Sequence, residues 1–226
     1  MIGFWSRGWK HFFQPPRCLA LSCRAEASYS GRVKICVFCS SSDAVAPAYF
    51  EAATRMGELI GAQGHTLVYG GGKVGMMGAV ARAVHGSGGR VVGIIPDFMH
   101  RKAVAYEKCD QLTVTADMRE RKARMMETAE AFVVLPGGFG TLEELSELIT
   151  QLQFGILVRP LVLVNTLGFF DPLAAVFQKF YQEKFAKPEL GQVLALVADP
   201  AEAMRRILGF VPPNLVSKWF PSDAPG

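Results

Sequence analysis

Long apolar runs are missing from this sequence of 226 residues. Half of the residues are hydrophobic, yet no stretch approaches the roughly 18 consecutive apolar residues of a membrane-spanning helix. Only 19% of the residues are charged, and the length fits one domain with a sizeable core. We therefore expect a globular protein with no membrane partner.

Ligands for a metal are also scarce. The four histidines have no ligand-like spacing, the five cysteines form no metal-binding pattern, and there is no recognisable Ser-His-acid set. We therefore expect neither a metal nor a cofactor. Pairing the cysteines would leave one over, which favours a reducing compartment and a cytoplasmic location. They are Cys18, Cys23, Cys36, Cys39 and Cys109.

The sequence Cys36-Val37-Phe38-Cys39 has the spacing of a redox C-x-x-C motif. It ends an apolar run instead of opening a helix, so the two thiols are expected on opposite sides of a strand. Core packing is the better interpretation of this pair.

An excess of acidic or basic residues is absent from the body of the chain. Residues 1–32 hold five basic groups and one acid, which leaves 19 charges of each sign in the remainder. A nucleic-acid partner would need a clustered basic face, so none is expected.

The segment 1–32 is predicted to be an extension outside the fold. It is either disordered or a presequence for organellar import, since Trp5, Trp9 and Phe12 lie at helical spacing among basic residues.

Short apolar runs alternate with amphipathic stretches over residues 33–210. The runs are apolar throughout, which is typical of strands buried on both faces of a parallel sheet. We predict one α/β domain with a doubly wound, Rossmann-like parallel sheet flanked by helices, and ligands beyond the carboxyl ends of its strands. Residues 211–226, with four prolines, are predicted to form an irregular tail.

The predicted strands are Val33–Cys39, Thr66–Tyr69, Arg90–Ile95, Gln111–Thr115, Ala131–Leu135, Leu161–Asn165 and Val193–Val197. The predicted helices are Pro47–Gln63, Gly75–His85, Asp117–Ala129, Thr141–Phe154, Asp171–Lys184 and Pro200–Leu208.

The segment from Pro136 to Glu144, Pro-Gly-Gly-Phe-Gly-Thr-Leu-Glu-Glu, joins a strand to a helix through a glycine turn. Its glycines allow close approach of an anion, and the unpaired N–H groups of a first helical turn favour negative charge. Glu143 fits an ordinary acid that complements the helix dipole. Glu144 lies at the edge of the apolar arc, whereas Glu143 and Glu147 point away from it.

A second glycine turn, Gly70 to Gly78, follows the strand that ends at Tyr69. Val74 follows Lys73 where a Walker loop needs Ser or Thr, and the next strand ends without the acid of a dinucleotide fingerprint. A phosphate or ribose cradle for a mononucleotide is the remaining interpretation.

Arg121 lies on the apolar stripe of the helix that begins near Asp117, on the same face as Met118 and Met125. A buried guanidinium needs a carboxylate or a bound anion. A structural salt bridge and a ligand site are both open on this pattern, and Lys122 is either a ligand contact or a solvated neighbour.

Together these segments resemble the Lonely Guy family of cytokinin riboside 5′-monophosphate phosphoribohydrolases, often labelled lysine decarboxylase-like. The resemblance runs from about Ile35 to Leu208 and rests on four segments: Cys36 to Ser42, Tyr69 to Gly78, Met118 with Arg121-Lys122, and Pro136 to Glu144. A decarboxylase activity has no support, because no lysine stands in a recognisable pyridoxal-phosphate setting.

The resemblance implies hydrolysis of the N-glycosidic bond of a cytokinin riboside monophosphate by a homodimer with active sites at the subunit interface. It makes Arg121 and Glu144 the catalytic pair. The residues expected to bind substrate are Lys122, Gly137, Gly138, Phe139, Gly140, Thr141, Leu142, Glu143 and Thr150, with Gly71, Gly72, Gly75 and Ser41 from the earlier turns.

Two positions depart from the family pattern: Ala103 replaces a frequent glutamate that would contact the base or the ribose, and Ser40 replaces a usual glycine. A generic AMP nucleosidase and a non-catalytic nucleotide carrier are the alternative functions.

Overall fold

The computed structural model of the chain describes residues 31–102, 104–192 and 194–212. Seven parallel strands form one sheet in the order β4-β3-β2-β1-β5-β6-β7. The predictions for residues 1–30 and 213–226 lie outside the described residues, so the predicted domain boundaries remain predictions.

Strands and helices alternate along the chain, as predicted. The strands are β1 (Lys34–Phe38), β2 (Thr66–Tyr69), β3 (Arg90–Pro96), β4 (Gln111–Thr115), β5 (Ala131–Val134), β6 (Leu161–Val164) and β7 (Leu194–Val197). The helices are α1 (Pro47–Ala62), α2 (Gly75–Gly86), α3 (Asp97–His100), α4 (Met118–Thr128), α5 (Phe139–Gln153), α6 (Asp171–Gln182) and α7 (Pro200–Leu208).

The predicted fold class is confirmed, and the ends of every predicted element lie within two residues of the observed ones. The sequence patterns missed only short elements in the described part: α3 and the 3₁₀ segments Thr166–Gly168 and Pro188–Gln192. Such single turns carry too few residues to show a periodicity.

The start of α5 corrects one prediction. The helix begins at Phe139, with Gly138 as its N-cap, and its first turn contains no acid. Glu143 is therefore not a first-turn acid that complements the helix dipole. Phe139 and Gly140, which the sequence pattern assigned to the glycine turn, adopt helical conformation and form the first two residues of α5.

Two hydrophobic cores cover the two faces of the sheet. Ile35, Val37 and Cys39 belong to the core under α1, α2 and α7, whereas Cys36 and Phe38 belong to the core under α4, α5 and α6. The thiols of Cys36 and Cys39 therefore lie on opposite faces of the sheet, as their spacing predicted, and both are buried.

The strand order reverses at β1, which pairs with both β2 and β5. The chain leaves β1 toward α1 on one face and leaves β5 toward α5 on the other, so a crevice opens between the two loops. A hydrogen bond joins the two loops at the base of this crevice: the Ser40 N–H donates to the Pro136 carbonyl oxygen at 3.2 Å. The glycine turn of Pro136 to Glu144 lies at this reversal point.

Candidate active site

Arg121 and Glu144 form a buried ion pair. Nη1 of Arg121 lies 3.0 Å from Oε1 of Glu144, and the two residues are 6% and 7% exposed. Nε of Arg121 donates to the carbonyl oxygen of Ile94, near the end of β3, at 3.2 Å. The sequence pattern left two partners open for the buried guanidinium, a carboxylate or a bound anion. The structure shows the carboxylate of Glu144 in this place.

Local sequence places both side chains. Asp117 caps α4 by accepting the Glu120 N–H at 2.8 Å, and this start puts Arg121 one turn inside the helix, facing the sheet. On α5, Glu144 is buried together with Leu145 and Leu148. Its carboxylate contacts Arg121, which itself lies against Gly70 after β2 and Ile94 in β3. The pair therefore lies at the carboxyl edge of the sheet, where parallel α/β folds bind ligands.

Burial dominates the electrostatics of Glu144. It raises the pKa of the Glu144 carboxyl, and the positive charge and hydrogen bond of Arg121 oppose the rise only in part. Burial also raises the pKa of Cys36 and Cys39, and the charge of Glu144 raises it further. Both thiols therefore stay protonated at neutral pH, which suits core packing and not nucleophilic or redox chemistry.

The glycine turn before α5 is open where a ligand could approach. A Cβ atom on Gly138 or Gly140 would meet no atom within 4 Å, whereas one on Gly137 would collide with the Thr141 side chain. No side chain caps the helix. The N–H groups of its first turn are therefore available to an anion.

Two clefts, each of about 310 Å³, meet at Gly137 and Gly138. The predicted contact residues Phe139, Thr141 and Leu142 line one of them, and Thr141 is itself buried. The structure therefore brings the motif residues Gly137, Gly138, Phe139, Thr141 and Leu142 together around one crevice, whereas Glu143 and Glu144 line neither cleft.

The second glycine turn differs from the predicted phosphate cradle. The Gly75 N–H at the start of α2 donates to Oδ1 of Asp43 at 2.8 Å, so a carboxylate of the chain itself already occupies this helix terminus. The Lys73 N–H donates to Val104, and Gly71 accepts from the Tyr106 N–H. The N–H groups of Gly75 and Lys73 are therefore paired within the chain, and the binding of an anion at this turn stays a prediction.

The glycines of this turn instead serve close packing. Gly71 has a φ of +75° and lies against Ile95, and a Cβ on Gly75 would come within 2.7 Å of the Ser41 carbonyl oxygen. Gly71, Gly72 and Gly75 are all buried, while Ser41 is exposed. Sequence reasoning missed Asp43, although an Asp in a serine-rich loop is a common cap.

Lys122 lies in a groove between α4 and α5. Its Nζ forms ion pairs with Glu143 and, at 2.8 Å, with Glu147. Burial by itself would lower the pKa of Lys122, but the hydrogen bonds to the two carboxylates outweigh it and raise the pKa. The partner of Glu143 is thus Lys122 and not the helix dipole.

Thr150 lines the same groove, where its Oγ1 donates to the Ser146 carbonyl oxygen at 2.8 Å. This groove is separate from the two clefts at Gly137 and Gly138. The predicted site residues therefore fall into a buried pair, an open glycine turn and a charged groove.

Within the described residues, no group of three or more His, Cys, Asp or Glu side chains could hold a metal ion. No helix in the described ranges is long and apolar enough to cross a membrane.

The fold and the site define a Rossmann-like α/β protein with a buried Arg–Glu pair beside a glycine turn. A family model described as "Possible lysine decarboxylase" matches residues 77–207. The cytokinin riboside 5′-monophosphate phosphoribohydrolase LOG7 of Arabidopsis thaliana is 40% identical over 179 residues, 79% of this chain and 82% of that protein. The probable phosphoribohydrolase LOGL2 of Oryza sativa subsp. japonica is 38% identical over 82% of this chain and 77% of its own length.

The chain therefore belongs to the Lonely Guy, or lysine decarboxylase-like, family of cytokinin riboside 5′-monophosphate phosphoribohydrolases, as the motifs predicted.

Solved structures show the same fold at lower identity. The molybdenum cofactor binding protein of Rippkaea orientalis is 18% identical with a TM-score of 0.60, over 79% of this chain and 96% of that one. The Moco carrier protein of Chlamydomonas reinhardtii is 20% identical with a TM-score of 0.59, over 78% and 96% of the two chains. At these identities the likeness concerns the fold.

Proposed function

We propose that this protein hydrolyses the N-glycosidic bond of cytokinin riboside 5′-monophosphates and releases the free cytokinin base and D-ribose 5-phosphate. The names of its relatives support this reaction, since each is a phosphoribohydrolase of these nucleotides. The observation that carries the proposal is the buried Arg121–Glu144 pair at the carboxyl edge of the sheet, beside an uncapped glycine turn.

Glu144 supplies the negative charge that the reaction needs. Cleavage of an N-glycosidic bond passes through an oxocarbenium-like sugar, which a nearby carboxylate stabilises. The same carboxylate orients or deprotonates the water that attacks the anomeric carbon. In a buried setting this charge acts more strongly than it would in water.

Arg121 keeps Glu144 ionised and aligned. Its two hydrogen bonds, to Glu144 and to the Ile94 carbonyl oxygen, hold the guanidinium in one orientation. Its remaining N–H groups donate to the substrate.

The 5′-phosphate anchors the nucleotide without reacting. We place it on the N–H groups of Gly138, Gly140 and Thr141 at the start of α5, where no side chain caps the helix. Lys122 and Thr150 contribute contacts from the neighbouring groove. The binding energy of the phosphate positions the anomeric carbon at Glu144.

We propose further that two copies form a homodimer whose interface covers the site. Phe139 and Leu142, beside the cleft at the glycine turn, are 92% and 43% exposed, and Met118, which lines the charged groove, is 40% exposed; together they form an apolar rim. A second copy would bury this rim.

A cytoplasmic location is also proposed, in keeping with the free thiols of Cys36, Cys39 and Cys109.

The proposed reaction is tested by incubation with isopentenyladenosine 5′-monophosphate, AMP and the corresponding unphosphorylated ribosides, followed by chromatography of the free base. We expect release from the monophosphates and little from the ribosides. A kcat/KM for AMP equal to that for its prenylated analogue would indicate a generic AMP nucleosidase. Nucleotide binding without any base release would indicate a carrier.

A further inference from the structure

The loop after β6 reaches across the crevice between β1 and β5. It runs from Asn165 to Asp171 and presents the ring of Phe169 to Tyr49 on α1, edge to face, with ring centroids 5.9 Å apart. Phe170, the next residue, packs into the core under α5 and α6, with its ring centroid 5.1 Å from that of Phe169. A residue of the loop after β6 therefore lines a cleft together with residues of the two loops that form the crevice.

Phe169 lines both clefts that meet at the glycine turn. One cleft places it with Ser40, Tyr49 and Gly138, and the other places it with Gly138 and Thr141. Phe169 is 40% exposed in spite of its ring contacts, so one part of the ring faces the space beside the turn.

The backbone of this loop is held in one conformation. Oδ1 of Asn165 accepts the Phe170 N–H at 2.7 Å, and its Nδ2 donates to Asp171, also at 2.7 Å. Leu167 has a φ of +55°, a left-handed conformation that a leucine keeps only where its surroundings enforce it. The hydrogen bonds and backbone conformation of this loop therefore determine the position of Phe169.

We propose that Phe169 is a substrate-binding residue: its ring forms the wall that contacts the sugar-phosphate of a nucleotide seated on the N–H groups of Gly138, Gly140 and Thr141. This inference rests on the proposed function for the identity of the ligand. An apolar ring beside the anion excludes water and so strengthens the hydrogen bonds from the backbone N–H groups. The ring also offers a flat apolar face to the ribose.

The test compares Phe169→Ala with a matched truncation elsewhere. Phe180 on α6 is 41% exposed, packs against two other rings, and lines neither cleft. Both variants are made in the Glu144→Gln background, and the Kd for AMP is measured by titration calorimetry, so that turnover does not consume the ligand. We expect Phe169→Ala to weaken AMP binding by about tenfold, and Phe180→Ala to leave it within about twofold of its parent. Phe169→Tyr, which keeps the ring, should bind AMP like the parent.

With wild-type Glu144, Phe169→Ala should raise KM for the monophosphate far more than it lowers kcat, as expected for a group that binds ground state and transition state alike. An unchanged Kd for AMP in folded Phe169→Ala would overturn the inference. An equal loss in the Phe180 variant would also overturn it, because the effect would then come from general destabilisation. A wild-type protein that binds AMP but releases no base from isopentenyladenosine 5′-monophosphate would refute the proposed reaction while leaving the test of Phe169 valid.

Discussion

The guanidinium of Arg121 lies directly against Gly70, so closely that a Cβ atom on Gly70 would overlap Nη2 of Arg121. Gly70 follows β2, and the carbonyl oxygen that Arg121 binds belongs to Ile94 in β3. The second glycine turn thus forms the seat of the arginine that holds Glu144, and this gives the turn a role that does not require a bound phosphate.

Substituting Gly70 should therefore impair catalysis through Arg121. We expect Gly70→Ala to lower kcat by about 10²-fold, because displacement of a catalytic group by about 1 Å costs that much. Gly86→Ala is the control, since a Cβ there meets nothing within 4 Å, and its kcat and melting temperature should not fall. A Gly70→Ala enzyme with normal kcat would show that the contact does not position Arg121.

The charge of Glu144 should be essential for turnover and dispensable for binding. Glu144→Gln keeps the shape of the side chain and removes the charge, so kcat should fall by about 10²-fold or more. The Kd for AMP should stay close to that of the wild type, because the proposed phosphate contacts are backbone N–H groups. Glu143→Gln is the neighbouring control: Glu143 is exposed and pairs with Lys122, which retains Glu147. If the two variants lost kcat equally, Glu144 would not be the catalytic carboxylate.

A substitution at Gly140 should affect ligand binding without affecting the fold. Gly140 lies in the first turn of α5 with open space where a Cβ would point. Gly140→Ala should leave the fold intact and gain up to about 1 kcal/mol of helix stability. The Kd for AMP should nevertheless rise by about tenfold, since the methyl group would intrude where the phosphate approaches the N–H groups. Unaltered AMP binding would move the phosphate away from this turn.

The pH dependence of kcat should report the raised pKa of Glu144. In the proposed mechanism the carboxylate is the active form, so activity should be present above that pKa and should be lost as pH falls through it, at a higher pH than for an ordinary glutamate. The charge of Glu143 adds to the rise, so Glu143→Gln should move the acid limb of the kcat profile to lower pH. A shift in the opposite direction, or an acid limb at the ordinary glutamate value, would contradict this account.

The segment 1–31 should be dispensable for catalysis. Its basic excess contrasts with the balanced charge of the rest of the chain, which predicts a segment outside the catalytic domain proposed for residues 33–210. Deletion of residues 1–31 should leave kcat/KM and melting temperature nearly unchanged. Loss of folding in the truncated protein would place Trp5, Trp9 and Phe12 in the core.

The sequence by itself determined where the strands and helices lie along the chain and where the main glycine turn is. Apolar runs and turn residues act over a few neighbouring positions, so local patterns reveal them. The same is true of the opposite orientations of Cys36 and Cys39, which follow from the two-residue period of a strand. The helical periodicities of α4 and α5 also indicated that Arg121 and Glu144 face the interior.

Only the tertiary structure decided how distant segments meet. The family resemblance had already paired Arg121 with Glu144, and the structure added the geometry of that pair. The contact of Arg121 with Gly70, the occupation of the α2 terminus by Asp43 and the placement of Phe169 beside the crevice all depend on the strand order 4-3-2-1-5-6-7. Sequence spacing does not encode that order, because any connection long enough to cross the sheet could reach several neighbouring strands. The reversal at β1 brings three separate loops to one edge, and the contacts between them then determine which N–H groups remain for a ligand.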